Sequence, residues 1–286
     1  MRARLASAHG VELDAIAIEA IRTTGDIIQD RPLSDAGGKG LFTKEIEQAL
    51  IDGAIDLAVH SSKDMPTALP AGLELVACLP REDVRDAFIS RKSTSLAGLP
   101  HGAVIGTASL RRQAMVKRLR PDVAAVTFRG NVDTRLKKLD DGVVDATLLA
   151  LAGLKRLGRE AAATAVLEVD TFLPAVGQGA IGIEARADDT RTCDLLAKIN
   201  HADTLTALRT ERAFLAVLDG SCRTPIAGHA RIEAGNIWFR GMILRPDGSE
   251  MHETARRGAI LDGAALGSEA ARELKDRAGP GFFAAG

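Results

Sequence analysis

The sequence predicts an α/β protein built from more than one domain. Over the first 170 residues, short β-like runs alternate with amphipathic helical runs, which is the pattern of strands connected by packed helices. Residues 225–286 instead alternate around a Pro-Asp-Gly turn and end in a helical run, which predicts a small antiparallel sheet with a closing helix. A chain of 286 residues can form two or three domains of about 100 residues each.

The periodic segments predict the elements in order. Residues 15–21 alternate as a strand, residues 41–50 carry apolar side chains four apart as a helix does, and residues 55–59 read as a buried strand. After Arg81, a second cycle predicts strands at 103–107, 123–128 and 146–150 and helices at 110–119 and 132–139. Beyond Pro174 we expect a β run at 176–184, a helical stretch at 187–218, a strand at 237–244, a turn at 246–248 and a helix at 267–278.

Composition narrows the class of protein. A hydrophobic content of 46% and a charged content of 26% are typical of a globular protein. No apolar run approaches the roughly 18 residues of a membrane span, so we expect a cytoplasmic protein. Cys78, Cys193 and Cys222 are widely spaced and form no Cys-x-x-Cys, and the histidines do not cluster with other ligands. We therefore expect reduced thiols and no metal site.

Charge is concentrated in residues 101–138, where nine Lys or Arg stand against two acids. Such a basic block raises nucleic acid as a partner. Against this, Phe128 is the only aromatic residue in the block, and the whole chain has eight Phe, one Trp and no Tyr. A base-stacking platform needs more aromatic residues, so we expect no nucleic-acid partner.

Polar motifs follow three of the predicted strands: Ser61-Ser62-Lys63-Asp64, Ser109-Leu110-Arg111-Arg112 and Arg129-Gly130-Asn131. In open α/β sheets, ligands bind beyond the carboxyl ends of strands, where the amides of the next helix favour an anion. Each motif also has a structural interpretation, such as a surface Lys-Asp pair or a solvated first helical turn. Together they favour a cleft between two lobes that binds an anion.

The main candidate functional residues are several arginines and one cysteine. Arg111, Arg112, Arg129, Arg135 and Arg156 indicate a ligand with several carboxylates or phosphates, because a guanidinium binds such groups through paired hydrogen bonds. Far downstream, Cys222 lies in the loop-like stretch Asp219-Gly220-Ser221-Cys222-Arg223-Thr224-Pro225. We therefore infer an anionic molecule held near, or on, Cys222.

Two glycine-rich motifs do not support nucleotide binding. Gly37-Gly38-Lys39-Gly40 lacks the spacing of a phosphate-binding loop, although Lys39 can contact an anion. Gly177-Gln178-Gly179-Ala180-Ile181-Gly182 has dinucleotide spacing, but it opens a β run where the dinucleotide motif requires a helix. We interpret this second motif as a loop that crosses between domains.

The chain resembles the hydroxymethylbilane synthase family, also called porphobilinogen deaminase. The matching motifs run in order from Thr23-Thr24-Gly25-Asp26 through Gly37-Gly38-Lys39-Gly40-Leu41-Phe42, Val59-His60-Ser61-Ser62-Lys63-Asp64-Met65-Pro66, Gly106-Thr107-Ala108-Ser109-Leu110-Arg111-Arg112-Gln113, Arg129-Gly130-Asn131-Val132-Asp133-Thr134-Arg135-Leu136, Ala152-Gly153-Leu154-Lys155-Arg156 and Leu173-Pro174-Ala175-Val176-Gly177-Gln178-Gly179 to the Cys222 loop. So many ordered motifs make the resemblance specific.

The resemblance implies a transferase of tetrapyrrole and heme biosynthesis. It would join four porphobilinogen molecules head-to-tail into hydroxymethylbilane and release four ammonia. Cys222 would hold a dipyrromethane cofactor on which the product grows, and Asp64 would be the catalytic acid and base. Matching positions imply cofactor binding by Lys39, Lys63, Ser109, Arg111, Arg112 and Arg129, and substrate binding by Asp26, Arg135, Arg156 and Gln178.

The resemblance also implies an architecture. We expect two lobes like those of type II periplasmic binding proteins and a third small α/β domain with an antiparallel sheet. Domain 1 would comprise residues 1–80 and 177–198, domain 2 residues 81–176, and domain 3 residues 199–286 with the cofactor cysteine, in a monomer. The family begins with a strand and a Thr-Arg-x-Ser-x-Leu-Ala-like segment, whereas Met1 falls inside the helix that follows. We therefore expect the natural start to lie upstream.

Two other classes of protein remain open from the residues alone. A shortened, inactive or cofactor-free form would act at most as an anion-binding pair of lobes and would not use Cys222. A cysteine hydrolase would pair Cys222 with a base such as His229, although the sequence offers no third group to orient that base.

The intact mass of the denatured protein distinguishes these classes. We expect an excess equal to two condensed pyrrole units, and we expect Cys222→Ser to lack it because serine cannot form the thioether. An anion-binding module would keep its ligand in Cys222→Ser, and a hydrolase would lose only turnover. A wild-type mass equal to the bare polypeptide would contradict the cofactor prediction.

Overall fold

Three β-sheets organise the part of the chain that the computed structural model describes, namely residues 1–27, 40, 43–218 and 224–283, without the side chains of residues 26 and 27. The strands are β1 Leu57–Ser61, β2 Leu73–Cys78, β3 Asp86–Ser90, β4 Val104–Gly106, β5 Ala124–Val126, β6 Ala146–Ala150, β7 Ala165–Leu167, β8 Ile181–Arg186, β9 Ile226–Glu233, β10 Asn236–Leu244 and β11 Met251–Ala259. The helices are α1 Arg2–His9, α2 Thr24–Ile27, α3 Lys44–Ile51, α4 Leu110–Leu119, α5 Val132–Asp140, α6 Leu151–Arg156, α7 Thr190–Ala197, α8 Ala202–Val217 and α9 Gly263–Ala278.

Lobe 1 is the unit around the sheet β1-β8-β2, in which β8 lies between the other two strands and is antiparallel to both. Leu50 of α3 packs against Ala58 and Leu73 on one face of this sheet. The apolar side chains Ala77, Ile183 and Leu196 form a second buried cluster that includes α7. Because β8 comes from a distant part of the chain, lobe 1 is completed only after the chain has passed through lobe 2.

Lobe 2 is the unit around the sheet β5-β4-β6-β3-β7. Strand β4 is parallel to β5 and β6, whereas β3 is antiparallel to β6 and β7. The helices that follow β4 and β5 are capped by side chains: Ser109 accepts from the Arg112 amide at 3.4 Å and Asn131 accepts from the Thr134 amide at 2.8 Å. These caps fix the loops at the carboxyl ends of β4 and β5.

Lobe 3 is the unit around the antiparallel sheet β11-β10-β9, with α8 and α9 on one face. Phe214 of α8 and Phe239 of β10 meet with ring centroids 5.0 Å apart in its core. On the other face of the sheet, Ala227, Met242 and Leu244 join the buried core of lobe 2. Leu205 and Leu208 of α8 pack with Leu75 of lobe 1, so lobe 3 contacts both other lobes.

Two segments cross between lobe 1 and lobe 2, residues 79–85 on the way out and residues 168–180 on the way back. They lie side by side, because the Glu82 amide donates to the Gly179 carbonyl at 3.1 Å. Gly177 and Gly179 both have positive φ, 73° and 83°. A Cβ at Gly179 would come within 2.4 Å of the Glu82 carbonyl oxygen, so only glycine allows this approach.

A buried carboxylate joins these crossings to lobe 3. Glu211 of α8 is 0% exposed and pairs with Arg81 of the first crossing through two hydrogen bonds of 2.6 and 3.0 Å. It also accepts from the amides of Gly177 and Ala230, each at 2.7 Å. Burying a carboxylate is unfavourable unless donors such as these surround it.

Most of the predicted elements are confirmed. The predicted helix at 110–119 and the predicted strand at 146–150 have the observed bounds, and the strands and helix predicted at 103–107, 123–128 and 132–139 match β4, β5 and α5 within two residues at each end. The long helical stretch is two helices, α7 and α8, separated at residues 198–201. The crossing role of the glycine motif at 177–182 is also observed, since β8 begins within it.

The strand predicted at residues 15–21 is wrong. Residues 13–15 form a 3-10 turn, residues 17–23 have no regular structure, and Ile18 is 71% exposed. In the described part of the chain, β1 pairs with β8 alone and its other edge has no strand beside it. A β-like segment needs a neighbouring backbone to form its ladder, and the sequence pattern does not supply one.

The partners of Glu211 predict its contribution to stability. We expect Glu211→Ala to lower the free energy of unfolding by about 3–5 kcal/mol, because it leaves Arg81 buried without its counter-charge. Glu250→Ala, which removes a half-exposed partner of Arg245, should cost no more than about 1 kcal/mol. Urea unfolding followed by circular dichroism measures both, and equal losses would contradict this role.

Candidate active site

Asp64 lies on a short rigid turn between the lobes. Strand β1 ends at Ser61 and continues into the 3-10 turn Ser62–Asp64, which leaves the Asp64 side chain exposed. Two contacts with the second crossing hold the turn in place. The Ser62 amide donates to the Ala180 carbonyl at 3.0 Å, and Gly177 packs against the Ser62–Lys63 backbone. The second crossing therefore holds this carboxylate in place.

Lys63, the neighbour of Asp64, is held among other charges. Burial lowers the pKa of the Lys63 amine, and the nearby Arg112 and Arg111 guanidiniums lower it further, whereas Asp64 and Asp86 raise it. These influences show that Lys63 of lobe 1 faces the first turn of α4 in lobe 2. Positive charge is thus crowded where the two lobes meet.

Arg135 of α5 points to the same region. Burial lowers the pKa of its guanidinium to about 10, with Arg112 and Arg129 adding repulsion and Asp64 opposing it. Its Nε donates to the Gly130 carbonyl at 2.8 Å, and its Nη groups have no hydrogen-bond partner among the residues that the structure describes. Arg135 therefore offers two amino groups to an anion close to Asp64.

Arg111 and Arg112 in the first turn of α4 are buried and share one carboxylate, Asp86. Arg111 Nη2 donates to Asp86 Oδ2 at 2.7 Å, and Arg112 Nη2 donates to Asp86 Oδ1 at 2.6 Å. Each also donates to a backbone carbonyl, Arg111 to Leu173 at 2.8 Å and Arg112 to Leu148 at 3.0 Å. The Nε of Arg111 is buried without a hydrogen-bond partner in the described structure.

The other predicted site residues are distributed around this centre. Arg156, predicted to bind substrate, donates from Nη2 to the Gly179 carbonyl at 2.7 Å, next to the Lys155–Glu82 ion pair of 2.8 Å. Gln178 is buried and donates from Nε2 to Asp86 Oδ1 at 3.0 Å. Burial lowers the pKa of Arg156, whereas Glu82 raises it. Both side chains thus contact the crossings.

Some predicted residues lie outside the described residues. Lys39 and Cys222 are among them, and so is the side chain of Asp26. His229, the base that a hydrolase would need, is half-buried on β9, and burial lowers its pKa to about 4. Within the described residues, no group of three or more His, Cys, Asp or Glu could hold a metal ion.

Sequence reasoning missed Asp86, which accepts hydrogen bonds from three of the predicted residues, and Glu82, whose charge raises the pKa of Arg156. A signal for Asp86 was present, because it opens the strand Asp-Ala-Phe-Ile-Ser, whose other residues are apolar or small. An acidic residue in a buried strand needs a basic partner. The partner could not be identified, since Arg111 and Arg112 are more than twenty positions away along the chain.

The fold and the site define an α/β protein of three lobes, in which a carboxylate lies among cations where lobe 1 meets lobe 2. The family profile described as "Porphobilinogen deaminase, dipyromethane cofactor binding domain" matches residues 1–194, and that of the C-terminal domain of the same family matches residues 205–276. Curated porphobilinogen deaminases from Nitrobacter hamburgensis and Nitrobacter winogradskyi are each 62% identical over 283 residues, covering 99% of this chain and 90% of each relative. The chain belongs to the porphobilinogen deaminase family.

Solved structures that match part of this chain include an ABC-transporter periplasmic substrate-binding protein from Coxiella burnetii and a YaeC-family lipoprotein from Enterococcus faecalis. The first has a TM-score of 0.37 and 15% identity, covering 58% of this chain and 79% of that chain. The second has a TM-score of 0.37 and 14% identity, covering 54% of this chain and 75% of that chain. No helix in the described residues is long and apolar enough to cross a membrane.

The close contact between the two crossing segments predicts the effect of adding a methyl group at Gly179. We expect Gly179→Ala to destabilise the protein and reduce turnover, because its Cβ would collide with the Glu82 carbonyl beside the Asp64 turn. Gly142→Ala is the matched control, since Gly142 has φ of 76° and open space around it. The control should cost about 1–2 kcal/mol for backbone strain alone. Melting temperatures and turnover test this, and equal effects would contradict it.

Proposed function

We propose that this chain is a transferase that condenses four porphobilinogen molecules head-to-tail into hydroxymethylbilane with release of four ammonia. Its membership of the porphobilinogen deaminase family across both matched domains supports this activity. The observation that carries the mechanism is the exposed Asp64 on a rigid turn, facing cations of both lobes.

Asp64 is proposed as the catalytic acid and base. Its carboxyl group can donate a proton to the leaving amine of porphobilinogen and, once ionised, stabilise the cation that remains. It can then help to remove the proton from the pyrrole carbon after the new bond forms. One carboxyl group can perform these steps because they follow one another at the same centre.

The cations of the cleft are proposed to bind carboxylates. Each porphobilinogen unit bears one acetate and one propionate group, so the anionic charge in the cleft rises as the product grows. Arg135 offers Nη groups that have no partner in the described part of the chain, and Lys63 lies beside Asp64. We assign cofactor contacts to Lys39, Lys63, Ser109, Arg111, Arg112 and Arg129, and substrate contacts to Asp26, Arg135, Arg156 and Gln178.

The donors in the described residues fit a dipyrromethane cofactor, which carries acetate and propionate groups. The unpartnered Nε of Arg111 and the Nη groups of Arg135 are donors that an anion satisfies. When bound, this cofactor supplies the pyrrole carbon to which substrate units are added. We propose Cys222 as its attachment site through a thioether.

The proposal also includes a division of the chain into domains, an oligomeric state and a cellular location. Domain 1 comprises residues 1–80 and 177–198, domain 2 residues 81–176, and domain 3 residues 199–286. The strands of lobes 1, 2 and 3 fall within these ranges. We propose a cytoplasmic monomer that acts on a small molecule without a nucleic-acid partner, which the burial of Arg111 and Arg112 from the basic segment supports.

Asp64→Asn tests the proposed function. We expect the variant to retain the cofactor mass but to lose turnover by about 10²–10⁴-fold, because an amide cannot donate and accept the proton. Asp188→Asn, at an exposed aspartate of lobe 1, is the matched control and should keep wild-type turnover. Porphobilinogen consumption and the mass of the enzyme-bound product measure the effect. Wild-type turnover in Asp64→Asn would overturn the assignment.

A further inference from the structure

Asp86 is a buried carboxylate at the centre of lobe 2. It opens β3, which lies between β6 and β7, and its side chain is 0% exposed. The rest of the strand consists of Ala87, Phe88, Ile89 and Ser90. Placing an ionised carboxylate here costs several kcal/mol unless other groups stabilise the charge, so its partners must explain its presence.

The partners of Asp86 are residues of the proposed binding site. Oδ2 accepts from Arg111 Nη2 at 2.7 Å, whereas Oδ1 accepts from Arg112 Nη2 at 2.6 Å and from Arg112 Nε at 3.1 Å. Oδ1 also accepts from Gln178 Nε2 at 3.0 Å. Burial alone would raise the pKa of Asp86, but the two guanidiniums outweigh it and hold this pKa below its usual range. Asp86 therefore remains ionised.

The carboxylate of Asp86 offsets an unfavourable concentration of positive charge at the start of α4. Arg111 and Arg112 are the second and third residues of the helix, where the helix dipole disfavours positive charge. Asp86 places a negative charge between the two guanidiniums. With two guanidiniums and one carboxylate, the group keeps a single net positive charge, and the hydrogen bonds fix the plane of each guanidinium.

The same carboxylate reaches the second crossing. Gln178 donates to Asp86 and, from the same Nε2, to the Val84 carbonyl at 2.7 Å in the first crossing. Gln178 follows Gly177, which packs on the Ser62–Lys63 backbone beside Asp64. A continuous set of contacts thus connects the arginine pair of lobe 2 with the Asp64 turn of lobe 1.

We propose that Asp86 is a positioning residue for the reaction: it orients Arg111 and Arg112 for ligand carboxylates and, through Gln178, sets their place relative to the Asp64 turn. This inference rests on the proposed function, because it assumes that the two arginines bind carboxylates of the cofactor or substrate. Asp86 itself touches neither reacting group. Its effect is carried by the side chains it holds.

Asp86→Asn in the full-length enzyme tests the inference, since the amide preserves size and removes the charge. We expect the cofactor-bearing fraction to fall and KM for porphobilinogen to rise about tenfold in the cofactor-bearing enzyme, with a smaller change in kcat. The matched control is Asp122→Asn, which removes a carboxylate from a paired but more exposed Arg120 at 2.6 Å. The control should keep wild-type KM and cofactor content.

A purely structural role predicts a different result. It would lower the melting temperature of Asp86→Asn while the folded, cofactor-bearing enzyme keeps its KM, and that result would overturn the inference. If Asp86→Asn does not fold, Asp86→Glu retains the charge but displaces both guanidiniums by about one methylene. A raised KM in Asp86→Glu supports the inference, and an unchanged KM overturns it.

Arg112→Gln separates this inference from the proposed function. If Arg112→Gln loses cofactor or raises KM and the double variant with Asp86→Asn adds little further, the two residues act as one unit and the inference stands. Independent, additive effects on KM would overturn the positioning role while leaving the proposed function intact. If Arg112→Gln changes neither cofactor content nor KM, the proposed binding role of Arg112 fails and the inference fails with it.

Discussion

The structure depends on the buried carboxylate of Glu211. Four donors converge on it, from the Arg81 guanidinium and from the amides of Gly177 and Ala230. These donors belong to both crossings and to β9, an edge strand of the lobe 3 sheet. An apolar residue at position 211 could fill the space, but it would leave the Arg81 guanidinium without its counter-charge and two amides without their acceptor. The relative placement of the three lobes is therefore an electrostatic matter as much as a matter of packing.

The charges of the candidate active site are less completely paired than those around Glu211. The pKa values of Lys63, Arg111 and Arg135 are all lowered, each mainly by burial. The protein thus holds cations in a place that disfavours their charged forms, with Asp64 and Asp86 providing only part of the compensation. A ligand rich in carboxylates would relieve this unfavourable electrostatic energy, and this is the electrostatic basis for the proposed binding of cofactor and substrate.

Local patterns of the sequence were sufficient for much of the fold. Helix α4 has a capping Ser109 and an amphipathic run, so its bounds follow from nearby residues alone. Residues 15–21 have an equally clear alternation, yet they form no strand, because a strand also depends on a neighbouring backbone that local pattern does not reveal.

The sequence also predicts only part of the candidate site. The sequence places Lys63-Asp64 and Arg111-Arg112 just after the ends of two strands, and the structure brings these two motifs close enough for their charges to act on one another. The sequence favours an anion at the start of the helix that carries Arg111 and Arg112, and the structure places the carboxylate of Asp86 beside both. Which carboxylate of the chain meets which guanidinium is decided by the order of strands in the sheet, and periodicity does not specify that order.

The contact between Glu211 and the Ala230 amide has a consequence for movement. Ala230 lies in β9, the strand that follows Cys222 along the chain, and the same carboxylate holds Arg81 and Gly177 of the two crossings. If lobe 1 rotated against lobe 2 about the crossings, the axis of that rotation would pass near the contact that holds β9. Points near a rotation axis are displaced least. Strand β9 would therefore keep its position while the angle between lobe 1 and lobe 2 changes.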